Sequence, residues 1–180
     1  MTEHLAYREI VERIRALPVP PRHRGRVVLV VVRPDVDTRL TPLRCHLSPA
    51  EGLANDRWSR PERRVLEAQV SVMRADIAAV VANGQPLSLF GDNLLVELDL
   101  SPENLPAGTL VRVGTARCVV TPKPHTGCAK FAARFGEAAR EATAAPELDG
   151  QRVRGIYVRV LEAGHVSPGD AIEVLTRPPD

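Results

Sequence analysis

The sequence predicts a mainly β protein of the α+β class, in which a barrel or a sandwich of short strands carries a few short helices. Short apolar runs alternate with turn signals, and the 16 prolines fall mainly between those runs. Helical periodicity is restricted to a few short segments. Since 180 residues suffice for one substantial core, we expect an N-terminal helix and linker over residues 1–26 and a single β domain over residues 27–180.

Helix and strand patterns alternate in the first half of the chain. Leu5, Ile10 and Ile14 recur at helical spacing, which indicates an amphipathic helix that ends before Pro18. A continuous β-branched run further on is typical of a strand buried on both faces. The predicted segments are helices over residues 3–17 and 75–82, strands over residues 27–32, 43–47 and 69–73, and a polar loop over residues 50–63.

The second half of the chain is mostly β. Leu94, Val96 and Leu98 alternate with other residues at the period of two that a strand requires. The same alternation places Cys118 on the core side of its strand, where a free cysteine packs as a small hydrophobe. The predicted strands cover residues 94–100, 109–113, 116–121, 153–161 and 171–175, and short helices cover residues 129–135 and 137–143.

Composition and charge exclude several classes of protein. A net charge of +2 gives no sign of a polyanion-binding surface, and 3% aromatic residues argue against a base-stacking nucleic-acid platform. The N-terminus lacks a signal-peptide pattern, and no apolar run is long enough to span a membrane. The three cysteines form no CxxC pair. We therefore expect a cytoplasmic protein that binds neither nucleic acid nor a membrane.

Reactive side chains are concentrated in the loop PKPHTGCAK at residues 122–130. Cys128 has His125, Lys123 and Lys130 close by in sequence. Cationic neighbours lower the pKa of a cysteine and make it a better nucleophile or metal ligand. A helix that starts at Ala129 would also place Cys128 at a helix N-terminus, where peptide dipoles favour negative charge. The pattern predicts an activated Cys128, with an inert, buried thiol as the alternative.

Two catalytic or metal-binding arrangements of the cysteines lack expected partners. A Cys-His hydrolase would pair Cys128 with His125, but no acidic residue near them in sequence completes a triad. A zinc site would combine Cys118, His125 and Cys128, with Cys45 or His46 as a further ligand. Structural zinc sites usually show paired short ligand spacings, and the chain has none.

A softer transition metal is the third candidate. When a cofactor brings most of the ligands itself, a single thiolate from the protein completes the site. The one cysteine in a polar loop, Cys128, suits that role. An anionic cofactor tail would then meet four basic side chains, Arg57, Lys123, Lys130 and Arg134.

Several segments together resemble the molybdenum cofactor sulfurase C-terminal (MOSC) domain family, in its small stand-alone bacterial form. They cover roughly residues 45–175 in the order that the family has them. The segments are EGLANDRW at 51–58, QVSVM at 69–73, GDNL at 91–94, LPAGT at 105–109, VG at 113–114, the Cys128 loop, GIYVRV at 155–160 and PGD at 168–170. The chain departs from many members at Asn55, where they have glycine, and at Gly127, where they have proline.

The resemblance implies a MOSC-type β-barrel with a few peripheral helices and a molybdenum-pterin cofactor. It implies that Cys128 is the metal ligand or carries sulfur. Around it, His125 and Lys130 are expected to tune its protonation, and these three form the catalytic set. The implied cofactor-binding residues are Asp56, Arg57, Asn93, Lys123, Thr126 and Gly127.

Two functions are compatible with the resemblance. Some members reduce N-hydroxylated compounds, and this chain would then bind a small substrate and take electrons from a separate donor protein, since it has no Gly-x-Gly-x-x-Gly fingerprint. The other function is a non-catalytic carrier of cofactor or sulfur. Sulfurases of the family have a separate domain that uses pyridoxal phosphate, and we do not expect that cofactor in this chain.

Overall fold

A computed structural model describes residues 4–60, 62 and 64–179. In this part of the chain it contains ten strands and four α-helices. The strands are β1 (Arg24–Val30), β2 (Cys45–Ser48), β3 (Gly52–Leu53), β4 (Val70–Arg74), β5 (Leu94–Glu97), β6 (Leu110–Val113), β7 (Ala116–Val120), β8 (Ile156–Glu162), β9 (Gly164–Val166) and β10 (Ala171–Thr176). The helices are α1 (Tyr7–Arg15), α2 (Ala75–Ala82), α3 (Ala129–Phe135) and α4 (Glu137–Ala142).

Seven strands close into a barrel in the order β1-β10-β6-β7-β8-β4-β5. All neighbouring pairs are antiparallel except β4 and β5, which are parallel. Closure leaves none of these seven strands at a sheet edge. The barrel predicted from the sequence is confirmed, and the sandwich alternative is excluded.

Two apolar clusters form the core. The first fills the barrel and includes Val27, Val72, Leu94 and Cys118, of which Cys118 is fully buried. This confirms the prediction that Cys118 is a core residue. The second cluster lies between the outer barrel wall and the four helices, and there it includes Met73. One face of β4 is covered by the barrel core and the other by the second cluster, so all five residues of β4 are buried.

The predicted helices are present with small shifts. Residues 75–82 form α2, which ends at Asn83 in the left-handed conformation. Residues 129–135 form α3, with Cys128 as its N-cap. The helix predicted over residues 3–17 is shorter and begins at Tyr7; residue 3 lies outside the described part. None of the described helices has the length and apolar character needed to cross a bilayer.

A second, three-stranded sheet has the order β3-β2-β9. The sequence did not predict β3 or β9, because segments of two and three residues are too short to show a period of two. The segment 50–63, predicted as a polar loop, contains β3 and a 3-10 turn at Arg57–Ser59. Pro61 and Arg63 lie outside the described residues. β1 begins at Arg24, inside the segment predicted as linker.

Candidate functional site

Polar residues meet where several barrel strands begin or end. Val72 of β4 is paired with Leu94 of β5 on one side and with Ile156 of β8 on the other. The residues that precede β5 and those that precede β8 therefore lie close together, on either side of β4. Gly155 makes this approach possible, since its φ is +82° and a Cβ there would lie 1.9 Å from the Val72 carbonyl oxygen.

Buried Asp56 and Asn93 form a hydrogen-bonded network with the half-buried Arg33. The Asp56 carboxylate accepts hydrogen bonds from Arg33 Nε at 3.0 Å and from Asn93 Nδ2 at 3.0 Å. Asn93 Oδ1 accepts from Arg33 Nη2 at 3.1 Å and from the Ser71 amide at 3.1 Å. Burial alone would raise the pKa of Asp56, but the hydrogen bonds and charge of Arg33 lower it overall. Asp56 and Asn93 thus hold the Arg33 side chain in place.

A second network contains Asp92, Arg154 and His125, all nearly buried. Arg154 Nη1 donates to Asp92 Oδ2 at 3.0 Å, and Arg154 Nη2 lies 3.1 Å from His125 Nε2. The His125 Nε2 atom is also 3.5 Å from Asp92 Oδ1. Because a guanidinium only donates, His125 Nε2 accepts from Arg154 and the ring proton resides on Nδ1. The His125 ring packs against Tyr157, with ring centroids 4.5 Å apart.

His125 is neutral in the folded protein. Burial lowers its pKa to about 4; Asp92 raises it, and the positive charges of Arg154 and Arg33 lower it further. The imidazole therefore adds no positive charge near Cys128 at neutral pH. The Nδ1 atom is buried and makes no hydrogen bond of normal geometry, although the Arg154 backbone interacts with the ring and raises the His125 pKa slightly.

Cys128 is exposed, whereas Cys45 and Cys118 are buried. Its carbonyl accepts hydrogen bonds from the Phe131 and Ala132 amides, which begins α3. Phe131 of α3 packs against Arg154, with the guanidinium carbon 4.6 Å from the centre of the phenyl ring. This contact helps to fix the position of α3. Burial raises the pKa of Tyr157, to which Asp92 and the Cys128 thiol also contribute. Arg154 and Arg33 oppose this rise through their positive charges. Cys128 therefore lies within electrostatic range of Tyr157, whose ring packs against His125.

Four arginines of this region lie within electrostatic range of one another. Burial lowers the pKa of Arg39, and the charges of Arg134, Arg57 and Arg33 lower it further, against the opposing charge of Asp37. Arg134 donates to Asp37 Oδ1 at 2.9 Å, but the Arg39 Nε atom is buried with no hydrogen-bond partner. Two of these four guanidinium groups are paired with a carboxylate, Arg134 with Asp37 and Arg33 with Asp56.

Three unpartnered buried nitrogens belong to this neighbourhood. Among the described residues, the buried side-chain nitrogens without a hydrogen bond are Arg39 Nε, His125 Nδ1, Arg154 Nε and Arg117 Nε. A buried donor left unpaired costs about 1–3 kcal/mol. Three such donors in a basic region fit a ligand that brings acceptor oxygens. A cavity of about 230 Å³ beside His125 and Arg154 is also lined by Lys123 and Arg152.

The predicted site residues fall into two groups. Asp56 and Asn93 lie together, and Arg57 contributes to the basic region through its charge. In the loop, Lys123, Thr126 and Lys130 are exposed, and Gly127 is half-buried. A Cβ on Gly127 would lie 3.1 Å from Thr143 Oγ1. In the part of the chain that the structure describes, no three His, Cys, Asp or Glu residues are close enough to share a metal ion.

Sequence reasoning missed Arg33, Arg39, Asp92 and Arg154. Asp92 is the acidic partner of His125 that the sequence did not reveal, although it lies in the segment GDNL. Arg154 directly precedes Gly155, whose close packing against β4 fixes its place. Arg33 and Arg39 follow β1 in a segment that shows no pattern. Only the folded barrel brings these four side chains together.

Comparison with known proteins agrees with this architecture. The YUAD protein from Bacillus subtilis has a similar structure, with a TM-score of 0.64 and 15% identity over 87% of this chain and 98% of that one. YiiM from Escherichia coli has a TM-score of 0.56 and 20% identity over 86% of this chain and 72% of that one. At such identities the similarity shows the fold.

Sequence comparison gives the family. The uncharacterized protein YflK of Bacillus subtilis (strain 168) is 39% identical over 95 residues, which are 52% of this chain and 40% of YflK. The match thus spans less than half of that relative. The family model described as "MOSC domain" matches residues 46–173, which include every barrel strand except β1 and the end of β10. The chain belongs to the MOSC domain family.

Proposed function

We propose that this protein binds a molybdenum-pterin cofactor and that the Cys128 sulfur is its metal ligand or carries sulfur. The observation that carries the proposal is the position of Cys128. It is the exposed cysteine among the described residues and the N-cap of α3. Its charge acts on Tyr157, whose ring packs against His125, and His125 in turn contacts Arg154. The MOSC family is associated with this cofactor, which agrees with the proposal.

The basic side chains would hold the anionic part of the cofactor. Arg39 Nε and Arg154 Nε are buried donors without partners, and a phosphate or carbonyl oxygen would satisfy them. Lys123 lines the cavity beside His125, and Arg57 adds positive charge. Asp56 and Asn93 keep Arg33 in place through hydrogen bonds of about 3 Å.

Side chains of the protein would each have a separate role around the bound cofactor. When bound, the cofactor would supply a two-electron redox centre. Cys128 would bind as a thiolate, with its proton released to solvent. His125 would donate a hydrogen bond from Nδ1 without changing charge, since its pKa is about 4. Asp92 and Arg154 would hold that ring in place.

We propose the reduction of N-hydroxylated compounds as the reaction of the loaded protein. In that reaction the N–O bond breaks, two electrons and two protons enter, and an amine and water leave. The electrons would come from a separate donor protein. A non-catalytic carrier of cofactor or sulfur is the second candidate, and it is favoured by the exposure of Cys128.

Metal analysis of protein made in a cofactor-competent host tests the proposal. We expect molybdenum in the wild type and in the control Cys45→Ser, and a large loss of molybdenum in Cys128→Ser. Cys45 is a suitable control because it is also a free cysteine but is buried. Absence of molybdenum from the wild type, or equal contents in wild type and Cys128→Ser, would contradict the proposal.

Turnover distinguishes the two candidate functions. Loaded protein would be assayed for reduction of a hydroxylamine analogue with an artificial electron donor. Reduction by the wild type that is lost in Cys128→Ser supports the enzyme. Stable loading without reduction supports the carrier.

A further inference from the structure

Two histidines face each other on the small sheet, away from the residues used above. His46 of β2 and His165 of β9 are directly paired in the antiparallel register. Their ring centroids are 5.0 Å apart, and the ring planes are inclined by 57°. His46 is half-buried and His165 is exposed, so both rings are within reach of solvent.

The backbone hydrogen bonds explain why the rings are close. The His165 amide donates to Thr115 Oγ1 at 2.8 Å, and the His165 carbonyl accepts from the Thr115 amide at 3.0 Å. The His46 carbonyl accepts from the Ala54 amide at 2.9 Å. These groups are therefore engaged on the sides away from the partner strand. Such non-hydrogen-bonded pairs bring facing side chains closest together.

The ring separation suits a shared metal ion. A metal lies about 2.1 Å from an imidazole nitrogen and so about 3.2 Å from the ring centre. Two rings at that distance with centroids 5.0 Å apart subtend an angle of about 100° at the metal. This angle lies between the ~90° of octahedral and the ~109° of tetrahedral coordination.

The chemistry of the surroundings agrees with this geometry. A neutral imidazole is the form that binds metals, and both rings can be reached from solvent. Cys45 precedes His46 and points to the opposite face of the sheet, into the barrel core. Its thiol is therefore not a third ligand, and the described residues provide no three-residue metal group.

We propose that His46 and His165 form a two-histidine site for a divalent first-row transition metal ion, with water in the remaining positions. Imidazole ligands suit nickel, copper and zinc. The ion would connect β2 and β9 across the face of the sheet that carries both rings. This site is independent of the cofactor proposal, because neither histidine belongs to the basic region around Cys128.

Calorimetric titration of the untagged protein with nickel chloride tests the site. We expect the wild type to bind nickel, and His46→Gln and His165→Gln each to weaken the binding at least tenfold. His23→Gln is the matched control, since His23 is also exposed, and it should bind as the wild type does. Nickel should also raise the melting temperature of the wild type but not of the two variants.

Two outcomes would overturn the proposal. The first is nickel binding that is the same in the wild type and in the double variant His46→Gln, His165→Gln. The second is binding that disappears in Cys128→Ser but persists in the double variant, which would place the metal at the thiol. Equal melting temperatures of all proteins without nickel would show that the variants fold.

Discussion

The buried, neutral state of His125 makes the stability of this protein depend on pH in a calculable way. The pKa of His125 is about 4 in the folded protein and about 6.5 in an unfolded chain. The unfolded state therefore binds more protons, so His125 favours the native state above pH 6.5. This contribution is lost as the pH falls from 6.5 towards 4.

The two pKa values set the size of the effect. Complete protonation of His125 would cost the native state about 3 kcal/mol, at 1.36 kcal/mol for each pKa unit. Between pH 8 and pH 5 the loss is about 2 kcal/mol, since His125 is then almost fully protonated only in the unfolded chain. The side chain is 8% exposed, so solvent screens little of this energy.

Urea unfolding at pH 8 and pH 5 measures the effect. The free energy of unfolding of the wild type should fall by about 2 kcal/mol more over this range than that of His125→Gln. His23→Gln, which removes an exposed imidazole, should follow the wild type. Equal pH dependence in the wild type and His125→Gln would refute a neutral, buried His125, as would a measured pKa near 6.5.

Three further predictions concern the thiols, the glycine at the start of β8 and the Asp56 network. A thiol reagent should label Cys128 in the native protein, whereas Cys45 and Cys118 should react only after unfolding. Both of these thiols are buried, and burial raises the pKa of Cys118 to about 12. Mass spectrometry of the labelled peptides measures this pattern, and native labelling of Cys45 or Cys118 without Cys128 would contradict the prediction. Gly155→Ala should destabilise the fold by more than about 2 kcal/mol because its Cβ would meet the Val72 oxygen at 1.9 Å. Gly150→Ala, at a similar φ of +80° but in open space, should cost only about 1 kcal/mol in the same urea titration, and equal losses would contradict the packing argument. Asp56→Ala should cost about 2–3 kcal/mol because it removes the carboxylate partner of the half-buried Arg33, which keeps its hydrogen bond to Asn93. A loss below about 1 kcal/mol would show that the network is dispensable.

The sequence predicted the elements with strong local signals. The run that forms β1, the alternation around Cys118 and the helix at Ala129–Phe135 are all present. These segments were predictable because their period and end residues are local properties of the chain. Very short strands such as β9 carry no period, and only pairing with β2 defines them.

The candidate site was predictable only in part. Cys128, His125 and Lys123 are close in sequence, so composition alone singled out their loop. Asp92 and Arg154 are far apart in sequence and meet His125 only because β4 pairs with both β5 and β8. The same long-range pairing changes the charge that is expected for His125. The neighbouring lysines in the sequence suggest that His125 is one of a group of cations, but burial next to Arg154 keeps its imidazole neutral in the folded protein.

X-ray absorption at the molybdenum edge tests the central claim most directly. Wild-type protein loaded in a cofactor-competent host should show a molybdenum–sulfur bond from the protein. That bond should be absent from any molybdenum that remains in Cys128→Ser and should persist in Cys45→Ser. An identical sulfur shell in the wild type and Cys128→Ser, or a wild type that acquires no molybdenum, would contradict the account.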